Sequence, residues 1–135
     1  MRKKVLKSLA LATILTANVV VCGVTAFAIE RGVFNFSGTN VSYSLTKGPT
    51  PGGGYNYADA ATSWAGKGGY VVTAYAEAVN KTGERIGDGV FGFADNNISI
   101  RKNASGVYAF NGSHAVAHDY NVYDAIVTTW TNIPQ

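Results

Sequence analysis

Apolar and polar residues alternate with a period of two over much of the chain after residue 28. In residues 40–45, Val41, Tyr43 and Leu45 alternate with serines. In residues 70–79, one valine and three alanines occupy every second position and line one face. Successive side chains of a β-strand point to opposite faces, so these patterns predict half-buried strands. A face of alanines lets a second layer approach closely, as in a thin sandwich.

Turns rich in Gly, Asn and Asp separate these strands from others like them. We predict strands over residues 32–37, 40–45, 55–64, 70–79, 90–94, 98–101, 107–118 (interrupted at Asn111-Gly112) and 122–130. Residues 47–54, with two prolines and a run of three glycines, are predicted to form a loop. Connections this short favour antiparallel pairing. The fold class predicted is therefore all-β, a small antiparallel β-sandwich.

The first 28 residues have the pattern of a secretory signal peptide. Four basic residues lie within the first seven, residues 9–24 are predominantly apolar, and Ala26-Phe27-Ala28 resembles a cleavage site. The apolar run falls short of the roughly 20 residues that a spanning helix needs, and we expect no membrane span after cleavage. We predict a cleaved leader over residues 1–28 and one secreted β-sandwich domain over residues 29–135. A lipid anchor on Cys22 is the alternative, although three valines precede it where a lipobox prefers a small residue.

Removal of the leader changes the cysteine count and the charge. Cys22 is the only cysteine, so the remaining domain contains neither a disulfide nor a thiolate metal site. Four of the 11 basic residues precede Ile29 and all 8 acidic residues follow it, which leaves a formal net charge of −1. That charge does not favour nucleic acid as a partner. No sequence motif indicates a cofactor, and we expect none.

Aromatic side chains are the most prominent feature of the domain. Tyr and Trp join an apolar body to a polar tip, which suits interfaces and the faces of sugars. Tyr55, Tyr57 and Trp64 lie next to the glycine-rich segment, and we predict that they form an exposed binding set. The expected partner is an extracellular target such as a cell-wall component or glycan. The alternative is that aromatic residues fill a core that contains one leucine, Leu45, and no methionine.

Both histidines lie close together in the sequence, in front of an acidic residue. His114, His118 and Asp119 form a candidate polar site. On a strand the two imidazoles share a face about 13 Å apart, at roughly 3.3 Å per residue, which is too far for one metal ion. We therefore predict no metal site and place the histidines at a strand surface or rim. No serine occurs in a Gly-x-Ser-x-Gly motif, and we predict that the protein is not an enzyme. A small hydrolase centred on His118, with Asp119 or Asp124, remains the alternative.

The layout resembles that of the lactococcin-type bacteriocins. The shared features are the leader, a disulfide-free domain, the polar turn Asn80-Lys81-Thr82-Gly83 and an aromatic final strand ending at Trp130. That family opens its mature part with Gly-Gly-x-Trp-x-Tyr-Gly. The closest match here, Gly53-Gly54-Tyr55-Asn56-Tyr57, lacks the tryptophan. The resemblance implies a secreted β-sandwich that kills related bacteria through cell-wall synthesis. Bacteriocin-like antagonism is therefore one functional hypothesis, and a cell-surface or glycan-binding module is the other.

Overall fold

Eight antiparallel strands contain about three quarters of the residues described by the computed structural model, which covers residues 28–49, 55–66, 68–118 and 125–134. These strands are β1 (Ala28–Phe36), β2 (Thr39–Pro49), β3 (Tyr55–Trp64), β4 (Tyr70–Val79), β5 (Val90–Ala94), β6 (Asn97–Asn103), β7 (Ala109–His118) and β8 (Ala125–Pro134). They form two sheets that pack face to face, so the predicted β-sandwich is confirmed. The predicted leader, including Cys22, falls on residues outside the described ranges apart from Ala28, the first residue of β1.

Three predicted strands have the bounds that the alternation gave them, and the other five differ at their ends by up to four residues; the final strand, for example, ends at Pro134 instead of Trp130. Two further expectations were wrong. Residues 47–49 belong to β2 instead of a loop, because Lys47 continues the inward-facing series of that strand and pairs with Ala58. The ladder becomes irregular only at Gly48 and Pro49. Asn111-Gly112 does not interrupt β7, because both residues pair with β4 on one side and β8 on the other.

The two sheets have four strands each. Sheet A has the order β1-β2-β3-β6, and sheet B has the order β5-β4-β7-β8. The chain therefore crosses between sheets three times, after β3, after β5 and after β6. The crossing from β5 to β6 joins the edge strands on one side of the sandwich. There the backbone N–H of Trp64 donates to the carbonyl of Asn96 at 2.8 Å.

The inner face of β4 sets the spacing of the two sheets. Val72, Ala74, Ala76 and Ala78 are fully buried, as the sequence predicted. They pack in two apolar clusters that also contain larger side chains from both sheets, among them Leu45, Trp64, Phe110 and Val116. At Gly92 of β5 the facing sheet leaves no room for a side chain, because an added Cβ would lie 2.7 Å from Cγ2 of Ile100.

Buried charged side chains close the other side of the sandwich, where the edge strands β1 and β8 meet. A carboxylate oxygen of Glu30 accepts a hydrogen bond from the backbone N–H of Asn132. The ammonium group of Lys47 donates to the carbonyl of Pro134. Both charged groups come from the inner face of sheet A and are almost completely buried. They form hydrogen bonds with backbone groups of β8 that face no neighbouring strand. These bonds protect the edge of β8 from pairing with another chain.

Phe110 provides a direct test of the packing between the sheets. Replacement of its fully buried ring in Phe110→Ala leaves a cavity that the close-packed alanines cannot fill, so we expect the free energy of unfolding to fall by about 3–5 kcal/mol. Urea denaturation followed by tyrosine and tryptophan fluorescence measures the change. Phe91→Ala, which removes a half-exposed ring from the same sheet, is the matched control and should cost less than half as much. Equal losses in the two variants would contradict this account of the core.

Candidate functional site

The predicted binding set of Tyr55, Tyr57 and Trp64 is divided between two faces of β3. Residues 57 and 64 are an odd number of positions apart, so their side chains point to opposite sides of the sheet. Trp64 faces inward, is 2% exposed, and packs edge-on against Phe36 with ring centroids 5.5 Å apart. The expectation that Trp64 is exposed was therefore wrong, and the alternative of a core aromatic holds for this residue. Tyr55 belongs to β3, but its side chain is outside the described part.

Tyr57 faces outward on sheet A, where it is half-buried. The guanidinium group of Arg101 lies over its ring, 4.2 Å from the centroid. Two hydrogen bonds of 2.7 Å hold that guanidinium against the carboxylate of Asp59. One face of Tyr57 is therefore covered by a cation, and Tyr57 shares no surface with Trp64.

The histidines are also separated. His114 faces inward and is completely buried, which corrects the prediction of a surface or rim position. Its Nδ1 lies 3.1 Å from Oγ1 of Thr62, and its Nε2 lies 3.2 Å from Oγ1 of Thr131. His118 is exposed at the end of β7, with its ring centroid 5.2 Å from that of Tyr70. Asp119 and Asp124 are outside the described part. Within residues 28–49, 55–66, 68–118 and 125–134, no three His, Cys, Asp or Glu side chains gather in a metal-binding arrangement.

His114 belongs to a band of polar groups that crosses the core. On β2, β3 and β7 the band residues Tyr43, Thr62 and His114 each lie between members of the two apolar clusters. Tyr43 stacks on His114 with ring centroids 5.0 Å apart, and the hydroxyl of Thr62 donates to the carbonyl of Thr73 across the sheets. Because the polar atoms of Thr62 and His114 have partners, the band links the sheets without leaving these two side chains unpaired.

The outer face of sheet B carries most of the exposed apolar surface. Six large apolar side chains are exposed in the described part of the chain, and four of them, at 43–58% exposure, lie on this face. We call the group formed by these four and the neighbouring Tyr75 the aromatic face: Tyr75, Phe91, Phe93, Ile126 and Trp130. A concentration of this kind on one sheet marks an interaction surface, whereas single scattered apolar residues do not.

The sheet register arranges the aromatic face in rows. Phe91, Tyr75, Ser113 and Trp130 lie side by side across the four strands, over a distance of about 14 Å. The small side chain of Ser113 lets the rings of Tyr75 and Trp130 meet above it, with centroids 6.2 Å apart and planes at 78°. In the next row, Thr73 and Ala115 lie beside Phe93 and are low and buried. The result is a line of rings next to a row of buried side chains.

A glycine fixes the position of Tyr75. The Tyr75 ring covers Gly89, where an added Cβ would lie 2.2 Å from the phenolic oxygen. The phenol donates a 2.7 Å hydrogen bond to the carboxylate of Glu77. Burial raises the pKa of Tyr75, and the bond to Glu77 raises it further. The hydroxyl group therefore stays protonated and oriented at neutral pH.

Planar polar side chains border the line of rings. Glu77, Asn111 and Asn132 lie side by side on β4, β7 and β8, and we call them the polar row. The Asn111 amide donates to Glu77 at 3.2 Å, and the Asn132 amide donates to the side-chain oxygen of Asn111. Arg85 reaches the Tyr75 hydroxyl at 3.5 Å from the adjoining loop. Fixed amides, a carboxylate and a guanidinium beside aromatic rings can hydrogen-bond hydroxyl groups of a ligand that stacks on the rings.

The alternation of residues in β5 could have indicated this surface from the sequence. Phe91 and Phe93 alternate with Val90, Gly92 and Ala94, so β5 has a face of large rings and a face of small residues. Alternation alone does not say which face is covered. Only the facing sheet decides this, because Gly92 must face inward where Ile100 approaches.

Comparison of the chain with protein-family models, with curated proteins and with solved structures finds no match. The resemblance to the lactococcin-type bacteriocins therefore stays a prediction. In the described residues, no helix has the length and apolar character to span a membrane.

Two buried titratable groups give stability opposite pH dependences. Burial raises the pKa of Glu30 to about 7, against the effect of the hydrogen bond from Asn132. Burial lowers the pKa of His114 to about 4. Between pH 4.5 and 7 the folded state retains a proton on Glu30 that the unfolded chain releases, so this contribution to stability is lost as pH rises. Between pH 6.5 and 4 the unfolded chain binds a proton that folded His114 does not, so the histidine contribution is lost as pH falls.

Glu30→Gln separates the pH dependence due to Glu30 from that due to His114. The variant keeps a hydrogen-bond acceptor for Asn132 but has no carboxyl group that can titrate. We expect the stability of the variant, relative to the unmodified protein, to increase as pH rises from 4.5 to 7.5. The free energy of unfolding in urea at one-unit intervals over this range tests the expectation. A difference between the two proteins that stays constant with pH would show that Glu30 does not retain a proton in the fold.

Proposed function

We propose that the protein is secreted by a bacterium and binds a polysaccharide of the cell wall through the aromatic face and the polar row. The observation that carries the proposal is the line of Phe91, Tyr75 and Trp130 beside hydrogen-bonded Glu77, Asn111 and Asn132. No catalytic step is part of the proposed function.

The chemistry of a sugar chain fits both parts of this surface. A pyranose ring has weakly polar C–H faces and a rim of hydroxyl groups. The C–H bonds carry partial positive charge and pack on the electron-rich face of an aromatic ring, while the hydroxyl groups hydrogen-bond to amides and carboxylates. A row of rings about 14 Å long offers more than one such contact, which suits a polymer better than a single sugar.

Export supports a target outside the cell. The leader predicted over residues 1–28 leads to secretion, and a domain without cysteine needs no oxidising partner to fold. Cell-wall glycan is the polymer that such a protein meets first. Antagonism of other bacteria, which the lactococcin-type resemblance suggests, is a consequence that binding of this kind supports. It predicts that the secreted protein inhibits growth of related strains and that loss of wall binding abolishes the inhibition.

The hydrolase alternative has less support. In the described part of the chain, the ring of His118 packs against that of Tyr70 with centroids 5.2 Å apart, a ring-to-ring contact that does not by itself activate an imidazole for proton transfer. A measurable turnover that His118→Ala abolishes would favour this alternative over binding.

Trp130 is the residue whose loss tests the binding proposal. It is the most exposed ring of the aromatic face and packs on Tyr75, so Trp130→Ala should weaken binding to purified peptidoglycan sacculi by about tenfold or more. Co-sedimentation of the secreted protein with sacculi, chitin and cellulose measures both affinity and preference. Tyr108→Ala removes an exposed aromatic ring that lies outside both sheets and should bind as the unmodified protein does.

Two results would overturn the binding proposal. One is the absence of sedimentation with all three polymers. The other is equal binding by Trp130→Ala and Tyr108→Ala, with both variants folded by circular dichroism.

Processing of the leader has its own measurement. We expect the protein recovered from the culture medium to begin at Ile29, because cleavage after Ala26-Phe27-Ala28 fits signal peptidase. Intact-mass analysis reads the new terminus directly. A secreted product that retains residues 1–28, or one that carries a lipid on Cys22, would contradict the expectation.

A further inference from the structure

The outer face of sheet A, on the opposite side of the sandwich from the aromatic face, has a shallow concavity of about 600 Å³. We call it the hydroxyl concavity, because four outward-facing Ser or Thr residues line it together with a single charged residue: Arg31, Ser42, Ser44, Thr46 and Ser63. Its volume lies in the range of small-molecule binding sites.

The register of β1, β2 and β3 explains the shape of the hydroxyl concavity. Arg31, Ser44 and Ala61 lie side by side across the three strands. In the neighbouring row, Val33 lies beside Ser42 and Ser63. The methyl group of Ala61 is the smallest side chain of either row, so the surface is low at β3. Ile29 and Val33 on the edge strand β1 provide an apolar rim.

The charge of this face is unbalanced. Among the described outward-facing residues of sheet A, the acidic one is Asp59. Its carboxylate already accepts two 2.7 Å hydrogen bonds from Arg101, which neutralises its charge. Arg101 and Asp59 form the salt bridge found in the described part of the chain, and Arg31 forms no salt bridge with any residue of that part. Arg31 is exposed at the edge of the concavity. The site therefore offers an uncompensated guanidinium group beside several hydroxyl groups.

We propose that the hydroxyl concavity binds an oxyanion carried on a polyhydroxylated chain, either the carboxylate of a uronic acid or the phosphate of a polyol or sugar phosphate. The planar fork of Arg31 matches two oxygens of either anion. The Ser and Thr side chains both donate and accept, as the hydroxyl groups of such a chain do. The inference goes beyond the proposed function and does not depend on it, because the two surfaces belong to different sheets and share no residue.

Titrations of the secreted protein test the inference and distinguish the two anions. The probes are trigalacturonic acid, an oligomer of glycerol phosphate, and maltotriose as a neutral chain, each followed by changes in amide NMR shifts. We expect binding to at least one acidic probe, shifts centred on β1, β2 and β3, and no saturation by maltotriose. Preference between the acidic probes identifies the anion, and equal binding supports the shared oxyanion chemistry.

Arg31→Gln should weaken binding of the acidic probe by about tenfold or more, because a hydrogen-bonded charge is lost. Lys81→Gln, which removes the same charge from an exposed turn, is the matched control and should stay within about twofold of the unmodified protein. Ala61→Leu keeps the charge and narrows the concavity from the side of β3, so it should also weaken binding. Trp130→Ala should leave it unchanged, which separates this site from the aromatic face.

Three outcomes would overturn the inference. The first is no binding of either acidic probe at millimolar concentration. The second is an equal effect of Arg31→Gln and Lys81→Gln, which would mean that overall charge attracts the probe. The third is comparable binding of maltotriose at the same amides.

Discussion

The close approach of the two sheets is the constraint on which the rest of the structure depends. The alanines of β4 and Gly92 of β5 occupy inward positions where a facing sheet leaves little space. A thin core holds few large side chains. In β4 and β5, small residues inside therefore alternate with larger ones outside, and Phe91 and Phe93 face solvent because Gly92 faces the core. The packing of the interior and the composition of the surface are two results of one pattern.

The same thin interior contains more polar groups than its size suggests. The polar band around His114 crosses the core, and buried Glu30 and Lys47 close the side where β1 meets β8. Each makes hydrogen bonds in the described part, which offsets the cost of its burial. Glu30 and Lys47 come from sheet A and satisfy backbone atoms of sheet B. Their contribution is to position the sheets relative to each other as well as to protect the exposed edge of β8.

Much of the fold could be predicted from local sequence, and much less of the candidate site. Period-two alternation placed β3, β4 and β5 correctly because the residues of each strand differ in size or polarity between its two faces. It could not show that Trp64 belongs inside, because an aromatic ring in a strand suits either face. His114 was misplaced for a related reason: the partners that make its burial tolerable, Thr62 and Thr131, are distant in sequence. The polar row could not be predicted either, because Glu77, Asn111 and Asn132 become neighbours only when β4, β7 and β8 pair.

Opposite placement of the aromatic face and the hydroxyl concavity has a consequence for valency. Two stacked sheets lie about 10 Å apart, so ligands on their outer surfaces do not compete for space. A single copy that binds a ligand at each surface, as proposed, would be bivalent without forming a dimer. Attachment of one surface to a polymer would hold the other at a high effective concentration near neighbouring chains, which is the physical basis of a cross-linker.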